Sequence, residues 1–365
     1  IGTSTDWRRS YITTSLNPHY DKFIKWQFRK LKEKNYVIKG KFPVVWCPKD
    51  NMPVGDHDRA EGEGEGPQDF IWAKFRLKDS DLILMAGTTR PDALLGQANM
   101  WLDPKGSYVI VSIDNEKWVI GKEVYPKIEN QCKKAKIIGD IKPDELIGKW
   151  VNGPVVGRDL LILPAEFIDS SVGSGIVYSA LEDPVDLFEL KKIQSSDEII
   201  SKYNLDRKYV KKLKPYEIIN VPGMGGNLGE EIGKEFGITS AEQAELLEKA
   251  KGELNRRVFR KGVMRKNCGK FAGMTVPQTQ EMLKKELTES NDAVMFYELS
   301  GKVVCRCLTL SIIKIVSDQW FIQYDDPEWK KISHKCLYKM AVTNLIVRKQ
   351  FEYVLDWLRG WACTS

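Results

Sequence analysis

Histidine is scarce in this sequence, with three among 365 residues, and none of the three stands at a metal-ligand spacing or beside a partner. Motifs of the forms G-x-S-x-G and G-x-x-x-x-G-K-[ST] are also lacking, so neither a serine hydrolase nor a phosphate-binding loop is predicted. Gly223-Met224-Gly225-Gly226 is rich in glycine, but Leu228 stands where a dinucleotide-binding motif has its third glycine. That segment therefore predicts a plain loop.

Long apolar runs are missing too. No run approaches the ~18 residues that a membrane helix needs, so no membrane partner is predicted. The chain starts with Ile1 and has no apolar signal region, which predicts a fragment of a longer protein. The seven cysteines are odd in number and irregularly spaced, which predicts reduced thiols and a cytoplasmic location. Only Cys305 and Cys307 are close in sequence, and because a lone C-x-C pair is a weak zinc signal, no metal site is predicted.

Positive and negative charges nearly balance, since the chain has 56 basic and 50 acidic residues and a net charge of +6. This balance permits an anionic partner without demanding one. Two local basic clusters indicate either a solvated surface or contacts to phosphates, and the sequence leaves both readings open. The clusters are Lys208, Lys211, Lys212 and Lys214, and Arg256, Arg257, Arg260, Lys261, Arg265 and Lys266.

Both ends of the chain have helical periodicity, whereas the middle is rich in short strands. Asn17-Pro18 predicts a helix start, and the apolar residues from Val347 to Ala362 predict a second helix. Helical ends around a strand-rich middle are typical of an inserted domain. We predict a helical arm over 1–45, a central domain over 46–320 and a helical return over 321–365. The irregular order of elements predicts an α+β domain with a closed or strongly curved sheet.

The individual elements of the middle follow from alternating or apolar runs separated by Gly and Pro. Strands are predicted around 71–77, 82–86, 108–113, 160–163, 176–179, 217–221 and 310–316, and helices over 241–254 and 277–287.

A strand-to-helix turn at Thr88-Thr89-Arg90-Pro91-Asp92 is the first candidate site. One reading is structural: Thr88 or Thr89 caps a helix, and Asp92, three residues after Thr89, completes a capping box. The other reading is functional, because backbone N–H groups and two hydroxyls at one spot can hold a water or a developing oxyanion.

A second strand turn, Gly173-Ser174-Gly175-Ile176-Val177, leads to Glu182-Asp183-Pro184-Val185-Asp186. If a helix starts at Pro184, then Asp183 is its N-terminal cap, and Asp186 lies on the same helical face as Asp183. Asp186 is then either a surface acid or a carboxylate that faces a cleft and holds a cationic group such as an ammonium.

Together these blocks resemble leucyl-tRNA synthetases of the archaeal and eukaryotic cytosolic type, over nearly the whole chain. Isoleucyl- and valyl-tRNA synthetases share the threonine-rich motif, but the Asp-His-Asp-Arg and Gly-Glu-Gly blocks favour leucine. Besides the two turns, the similar blocks are Asp6-Trp7-Arg8-Arg9, Tyr11-Ile12-Thr13-Thr14, Cys47-Pro48-Lys49-Asp50, Asp56-His57-Asp58-Arg59, Gly62-Glu63-Gly64, Gly66-Pro67-Gln68, Val221-Pro222-Gly223, Asp318-Gln319-Trp320-Phe321, Leu355-Asp356-Trp357-Leu358 and Trp361-Ala362-Cys363.

The resemblance implies an editing domain with a curved, barrel-like mixed β-sheet, surrounding helices and helical flanking arms. Such a domain hydrolyses the ester of mischarged tRNA(Leu) carrying norvaline, isoleucine or a similar side chain, because one methyl group gives a synthetic pocket only ~1–3 kcal/mol of discrimination. Its implied partners are the acceptor end of tRNA(Leu) and the mischarged aminoacyl adenosine, bound by a monomer. The His-x-Gly-His and Lys-Met-Ser-Lys-Ser signatures are absent, so ATP and Mg²⁺ are expected only in the full-length synthetase, with no cofactor in this fragment.

The resemblance also assigns roles residue by residue. Asp186 would bind the substrate α-ammonium, the two threonines would position the ester and the attacking water, and the 172–174 segment would border the terminal adenosine. The implied catalytic residues are Thr88, Thr89 and Asp186, and the implied substrate-binding residues are Arg90, Ala93, Val172, Gly173, Ser174, Tyr178 and Asp183.

Four residues, at three places in the chain, depart from the family pattern. Ala93 replaces a threonine whose bulk is thought to exclude leucine, Ser179-Ala180 replaces Val-Pro, and Glu182 replaces a His or Asp. Three hypotheses remain open: an active editing hydrolase, a degenerate domain that still binds tRNA, and a hydrolase that also cuts leucyl-tRNA unless Leu94 or Tyr178 refills the space at Ala93.

Overall fold

β-Branched and aromatic residues are frequent in the strands of the computed structural model, which describes residues 6–132, 134–358 and 360–362. Cys363, predicted to belong to the last block, lies outside the described residues. The strands are β1 Val37–Cys47, β2 Met52–Pro53, β3 Arg59–Glu61, β4 Pro67–Leu77, β5 Leu82–Thr88, β6 Asn99–Leu102, β7 Tyr108–Ile113, β8 Glu116–Gly121, β9 Lys136–Ile141, β10 Trp150–Asn152, β11 Asp159–Pro164, β12 Val177–Ser179, β13 Ile219–Asn220, β14 Val263–Met264, β15 Ala293–Leu299, β16 Val304–Cys305, β17 Ile312–Ile322 and β18 Trp361–Ala362.

Many of the helices have a side-chain cap at the N-terminus. In α1, for example, the Asn17 side chain accepts hydrogen bonds from the backbone N–H groups of His19 and Tyr20. Short 3₁₀ helices, among them Pro91–Gly96, lie between the regular elements. No helix within the described ranges is long and apolar enough to cross a membrane. The α-helices are α1 Pro18–Glu33, α2 Tyr125–Gln131, α3 Pro184–Ser195, α4 Asp197–Lys202, α5 Arg207–Lys212, α6 Leu228–Glu235, α7 Ala244–Lys261, α8 Val276–Glu289, α9 Pro327–Lys339 and α10 Leu345–Trp357.

The described residues form two compact units. The larger comprises Gly64–Val303 with Ile312–Lys314, and the smaller comprises the described parts of Ile1–Glu63, Val304–Ser311 and Ile315–Ser365. The domain boundaries expected from the sequence, at 45/46 and 320/321, remain predictions. Each unit combines α-helices with β-sheets in which most neighbouring strands are antiparallel. The predicted α+β class is therefore confirmed.

The larger unit is built on a mixed sheet of ten strands. Its order is β12-β6-β11-β10-β4-β5-β8-β7-β9, and β15 adds to β4 beside this path. Most neighbours are antiparallel, but β5–β8 and β6–β11 are parallel. The path has two ends among the described strands, β12 and β9. The sheet therefore brings β5, which carries Thr88, and β12, which carries Tyr178, into one unit.

Two clusters of apolar side chains pack on this sheet, so its strands are buried on both faces. One includes Phe75 and Trp101 and extends to the helices α3 and α7. The other is centred on Trp72, whose ring stacks on Phe296 with centroids 4.0 Å apart. Such burial stabilises the sheet by roughly 25 cal/mol for each Å² of apolar surface removed from water. The site described below rests on this rigid support.

The smaller unit contains a four-stranded sheet of order β18-β17-β1-β2 and a separate pair, β16-β3. The predicted helix over 347–362 is only partly right. Helix α10 ends at Trp357, Leu358 leaves the helical conformation with ψ of 130°, and Trp361–Ala362 pairs with β17.

Candidate active site

A cavity of about 460 Å³ opens in the larger unit where β5 and β12 end and α3 begins. The loop before β12 and one face of α7 complete its wall. Eight of the ten residues implied by the sequence line this cavity: Thr88, Thr89, Arg90, Ala93, Val172, Tyr178, Asp183 and Asp186. The two blocks are about 80 positions apart in the chain, and the fold brings them to one cavity.

The threonine turn is held by its own hydrogen bonds. The backbone N–H of Arg90 donates to Thr88 Oγ1 at 2.9 Å. The Tyr178 hydroxyl donates to the Arg90 carbonyl oxygen at 3.0 Å and lies 3.2 Å from Thr88 Oγ1, so the threonine hydroxyl can donate to it. Thr89 is exposed, and its hydroxyl has no protein partner within the described ranges. The first hydroxyl is therefore fixed, while the second is available to a ligand.

The predicted capping of a helix by Thr88 or Thr89 is wrong. The 3₁₀ helix Pro91–Gly96 follows Arg90, which makes no side-chain cap bond. Asp92 is fully buried and accepts from the Arg90 guanidinium and from Gln280 Nε2, both at 2.7 Å. Hydrogen bonds to a guanidinium are stronger than those to a neutral backbone N–H, which explains why Asp92 does not complete a capping box.

Arg90 joins this turn to a distant helix. Besides Asp92, its guanidinium donates to Asn255 Oδ1 on α7 at 2.8 Å. Two oriented partners hold the planar guanidinium in place, so the side chain supports the loop beside the cavity.

The acidic turn has the predicted local structure. Helix α3 begins at Pro184, and the Asp183 side chain caps it by accepting from the Val185 backbone N–H at 2.9 Å. Asp186 lies in the first turn, is 9% exposed and accepts from Trp101 Nε1 at 3.0 Å. Burial raises the pKa of Asp186 well above the ordinary value of a carboxyl, and the charge of Asp183 adds to the effect.

Lys251 of α7 places a cation beside these acids. Its Nζ lies 3.3 Å from Asp183 Oδ2, and its charge lowers the pKa of Asp186 against the effect of burial. Glu248 and Asn255, one turn away on either side, also line the cavity. Sequence reasoning missed all three residues. Their spacing of three and four residues places them on one helical face, but no local sequence pattern shows that this face meets the cavity.

Gly173 and Ser174 do not line the cavity, although the sequence implied substrate contact. Ser174 is 1% exposed; its Oγ accepts from the Gly87 backbone N–H and donates to the Ile176 carbonyl oxygen, both at 3.0 Å. A buried hydroxyl must find such partners, and here they tie the loop to β5. Gly173 has φ of +60°, which suits the turn between Val172 and Ser174.

Glu182 is buried behind the acidic turn. Its Oε1 accepts from the backbone N–H groups of Ile218 and Ile219 at 3.1 and 3.3 Å, whereas Oε2 has no hydrogen-bond partner within the described ranges. Burial raises the pKa of Glu182 to about 8. The side chain thus joins the turn before α3 to β13, and Glu182 also lines the cavity.

A family profile described as tRNA synthetases class I (I, L, M and V) matches residues 1–364. The chain belongs to this family. Leucine--tRNA ligases resemble it throughout: that of Methanothermobacter thermautotrophicus is 37% identical over 366 residues, which are 100% of this chain and 38% of that protein. That of Archaeoglobus fulgidus is 38% identical over 365 residues, 100% of this chain and 39% of the relative. The chain thus spans under two fifths of the length of these class I synthetases.

Solved structures show the same fold. The crystal structure of GlLeuRS-CP1 superposes with a TM-score of 0.56 at 23% identity and covers 62% of this chain and 98% of that one. The Plasmodium falciparum cytosolic leucyl-tRNA synthetase editing domain gives a TM-score of 0.57 at 16% identity over 63% of this chain and 99% of that one. The resemblance to leucyl-tRNA synthetases, and the editing-domain fold that it implied, are confirmed.

Proposed function

We propose that the cavity hydrolyses the aminoacyl ester of mischarged tRNA(Leu), with norvaline, isoleucine and similar side chains as substrates. One observation carries the proposal: a desolvated carboxylate, Asp186, lies in the same cavity as the hydroxyls of Thr88 and Thr89. An aminoacyl ester has a cationic ammonium next to the carbonyl that is attacked. The cavity offers complementary groups for both.

The ammonium of the substrate would bind at Asp186. Removing a carboxylate from water is unfavourable unless a cation compensates it, and the raised pKa of Asp186 reflects that cost. Lys251 supplies a cation at Asp183, on the edge of the same cavity. A bound ammonium would complete the neutralisation that Lys251 begins.

The carbonyl and the water would lie at the threonine turn. Thr88 is fixed by Arg90 and Tyr178, so it presents an oriented oxygen without reorganisation at the moment of reaction. The exposed Thr89 hydroxyl can bind the attacking water. A hydroxyl of the terminal ribose would help to activate this water, and Val172, on the wall of the cavity, would border the adenosine.

The substrate range is the part of the proposal that Ala93 affects. Ala93 lines the cavity, whereas Leu94 is fully buried and does not. Tyr178 is held by its hydrogen bonds and by stacking on Phe75 at 5.6 Å, so it keeps its place beside the turn. Leu94 therefore adds nothing to the cavity wall beside Ala93, and the place of Tyr178 is set by its own partners. This favours, as a second candidate, an editing domain that also cuts cognate leucyl-tRNA.

We further propose that the partner is the acceptor end of tRNA(Leu) and that the protein is a monomer in the cytoplasm. Reduced cysteines fit that compartment. The leucine ligase reaction itself, with its ATP and Mg²⁺, would require the rest of a full-length synthetase.

Deacylation of norvalyl- and isoleucyl-tRNA(Leu) by Asp186→Asn tests the proposal. The amide keeps the shape of the side chain but loses the charge, so we expect the rate to fall about 100-fold, the value of a lost charged hydrogen bond of ~2.7 kcal/mol. Asp140→Asn, an exposed acid on β9, is the control and should keep the full rate. Undiminished hydrolysis by Asp186→Asn would contradict the assignment, and a folded parent chain that binds tRNA(Leu) without hydrolysis would favour a degenerate domain.

A further inference from the structure

Phe259, near the C-terminal end of α7, has a side chain that is largely exposed to solvent. It is 60% exposed, more than any other aromatic side chain among the described residues of the larger unit. The next most exposed rings have partners. Phe167 packs edge-on against Trp101 at 5.9 Å. The Arg158 guanidinium lies 3.6 Å from the centre of the Tyr216 ring. No ring or cation of the described residues lies against Phe259, so this ring offers a free aromatic face.

Helical geometry places Phe259 in line with one wall of the cavity. Glu248 and Asn255, on the same helix, both line that wall. Successive residues of an α-helix are rotated by about 100°, so Phe259 lies within about 40° of both around the helix axis. At a rise of ~1.5 Å per residue, it is about 6 Å beyond Asn255 along the axis. The ring therefore lies just outside the cavity, on the side of α7 that faces it.

The cavity has a direction along α7. Lys251 contacts the acidic turn, and Asn255, in the next turn of the helix, contacts the threonine turn through Arg90. Phe259 follows one further turn along the helix. A substrate with its ammonium at the acidic turn and its ester at the threonine turn would therefore continue out of the cavity towards Phe259.

Basic side chains flank the ring along the helix. Arg256 precedes it by one turn, Arg260 follows it directly, and both line the groove formed with Val221–Met224. Arg256 pairs with Glu253, whereas Arg260 is exposed and lacks an ion-pair partner among the residues that the structure describes. A chain of phosphates could therefore run along this groove while an attached base reaches the ring.

A single aromatic ring among cations fits an unpaired nucleotide better than a protein. A stable protein interface buries ~800 Å² on each partner, and the neighbours of Phe259 on the exposed side of α7, Asn255, Arg256 and Arg260, are polar. In a duplex the bases stack on one another, so a ring can reach a base face only in a single strand. Proteins that bind single strands without sequence preference combine a basic groove with such rings.

We propose that Phe259 stacks on a base of the unpaired 3′ end of tRNA, next to the terminal aminoacyl adenosine, and that Arg260 pairs with a phosphate of the same strand. This inference rests on the proposed function, because it takes the aminoacyl adenosine to lie in the cavity. The ring would hold the strand and would not touch the reacting ester. Its loss should therefore weaken binding of the RNA without slowing the chemical step.

Two substrates separate the stack from the hydrolysis. Norvalyl-tRNA(Leu) carries the unpaired end, whereas norvalyl-adenosine lacks every nucleotide that could reach Phe259. In Phe259→Ala, the KM for norvalyl-tRNA(Leu) should rise about 10-fold, the effect of one lost base–aromatic stack. Its kcat, and the hydrolysis of norvalyl-adenosine, should stay at the parent values. Phe259→Trp should keep the parent KM, and Phe259→Leu, which is apolar but cannot stack, should behave like Phe259→Ala.

Binding of uncharged tRNA(Leu), intact or with its unpaired 3′ end removed, gives an independent measurement. Phe259→Ala should weaken binding of the intact tRNA about 10-fold and leave binding of the trimmed tRNA unchanged. Ile138→Ala is the matched control, because it removes an exposed apolar side chain from β9, and it should leave both substrates and both tRNAs unaffected.

The proposal is overturned if Phe259→Ala keeps the parent KM and the parent affinity for intact tRNA. It is also overturned if the variant loses as much with norvalyl-adenosine or trimmed tRNA as with the complete molecules. A parent chain that hydrolyses neither substrate would contradict the proposed function instead, and the comparison of intact with trimmed tRNA would still decide whether Phe259 binds the unpaired end.

Discussion

At the scale of single residues, the charge of Lys251 is predicted to set the acidic limit of the reaction. Its ammonium lies 3.3 Å from Asp183 and lowers the pKa of Asp186, which must be ionised to hold the substrate ammonium. Lys251→Met should therefore raise the pKa of Asp186 further and move the acidic limb of the deacylation pH profile to higher pH. Lys251→Arg should keep the parent profile. A profile that stays in place in Lys251→Met would contradict this role.

The small side chain of Ala93 is predicted to affect the selectivity between aminoacyl-tRNA substrates. Ala93→Thr adds a methyl group and a hydroxyl to the wall of the cavity, so a large side chain should lose more binding than a small one. We expect hydrolysis of leucyl-tRNA to fall about 10-fold to 100-fold relative to that of norvalyl-tRNA, since one such group is worth ~1–3 kcal/mol. Steady-state deacylation of leucyl-, isoleucyl- and norvalyl-tRNA measures the change. Unchanged rates on all three substrates would remove Ala93 as the determinant.

At the scale of elements, the end of β8 is predicted to be intolerant of any side chain. A Cβ on Gly121 would fall on the Ser170 carbonyl oxygen, in the loop that carries Val172. Gly121→Ala should lower the free energy of unfolding by about 1–3 kcal/mol, because a well-packed site must shift to admit it. Urea denaturation measures this change. Gly139→Ala on β9, where a Cβ meets nothing within 4 Å, is the matched control, and an equal loss there would exclude the packing explanation.

Glu182 connects the turn before α3 with β13, and its pKa makes their connection pH-dependent. Burial raises this pKa to about 8 from 4.5, so the folded protein keeps a proton that the unfolded chain releases between these values. The contribution of Glu182 to stability is therefore present below pH ~4.5 and lost as pH rises through about 8. Glu182→Gln should remove that part of the slope and raise the free energy of unfolding at about pH 8 by roughly 1–3 kcal/mol relative to the parent.

Urea denaturation of both proteins at about pH 5 and about pH 8 gives the two slopes. Glu145→Gln, an exposed acid, should leave the slope of the parent unchanged. Equal slopes in the parent and Glu182→Gln would show that Glu182 does not titrate in this range.

At the scale of the whole molecule, the basic end of α7 is a candidate for phosphate contact in the proposed tRNA complex. A groove is lined there by Val221–Met224 and by arginine and lysine side chains of α7. Arg256 and Arg257 pair with glutamates, whereas Arg260 and Lys261 are exposed and have no ion-pair partner in the part of the chain that the structure describes.

Exchange of both Arg260 and Lys261 for glutamine should weaken tRNA(Leu) binding. The dependence of log affinity on log salt should also become shallower by about 2, since each phosphate contact contributes ~0.9. Binding titrations at several salt concentrations measure both effects. The double variant Lys105→Gln/Lys122→Gln removes the same charge from side chains that are already paired with Glu166 and Asp140. A similar loss in both variants would indicate a general charge effect instead of a contact.

Local signals predicted the secondary structure well because the interactions that create it are short in range. The alternating run at 108–113 is β7, Asn17 caps α1, and Asp183 caps α3. The threonine turn shows the limit of this reasoning. Thr88 and Asp92 stand where caps belong, but Tyr178 and Gln280, distant in sequence, offer contacts that a local pattern does not contain.

Motif spacing and periodicity are properties of the chain alone, so they were enough to predict the family, the α+β class and eight of the residues that line the cavity. The packing of distant elements decided that Lys251 neutralises the acidic turn and that Ser174 supports β5 instead of lining the cavity. The same holds for Cys47 and Asp50, which meet Cys305 and Cys307 across more than 250 residues. Residues so far apart in the chain meet only when whole elements pack together, and no short stretch of sequence specifies that packing.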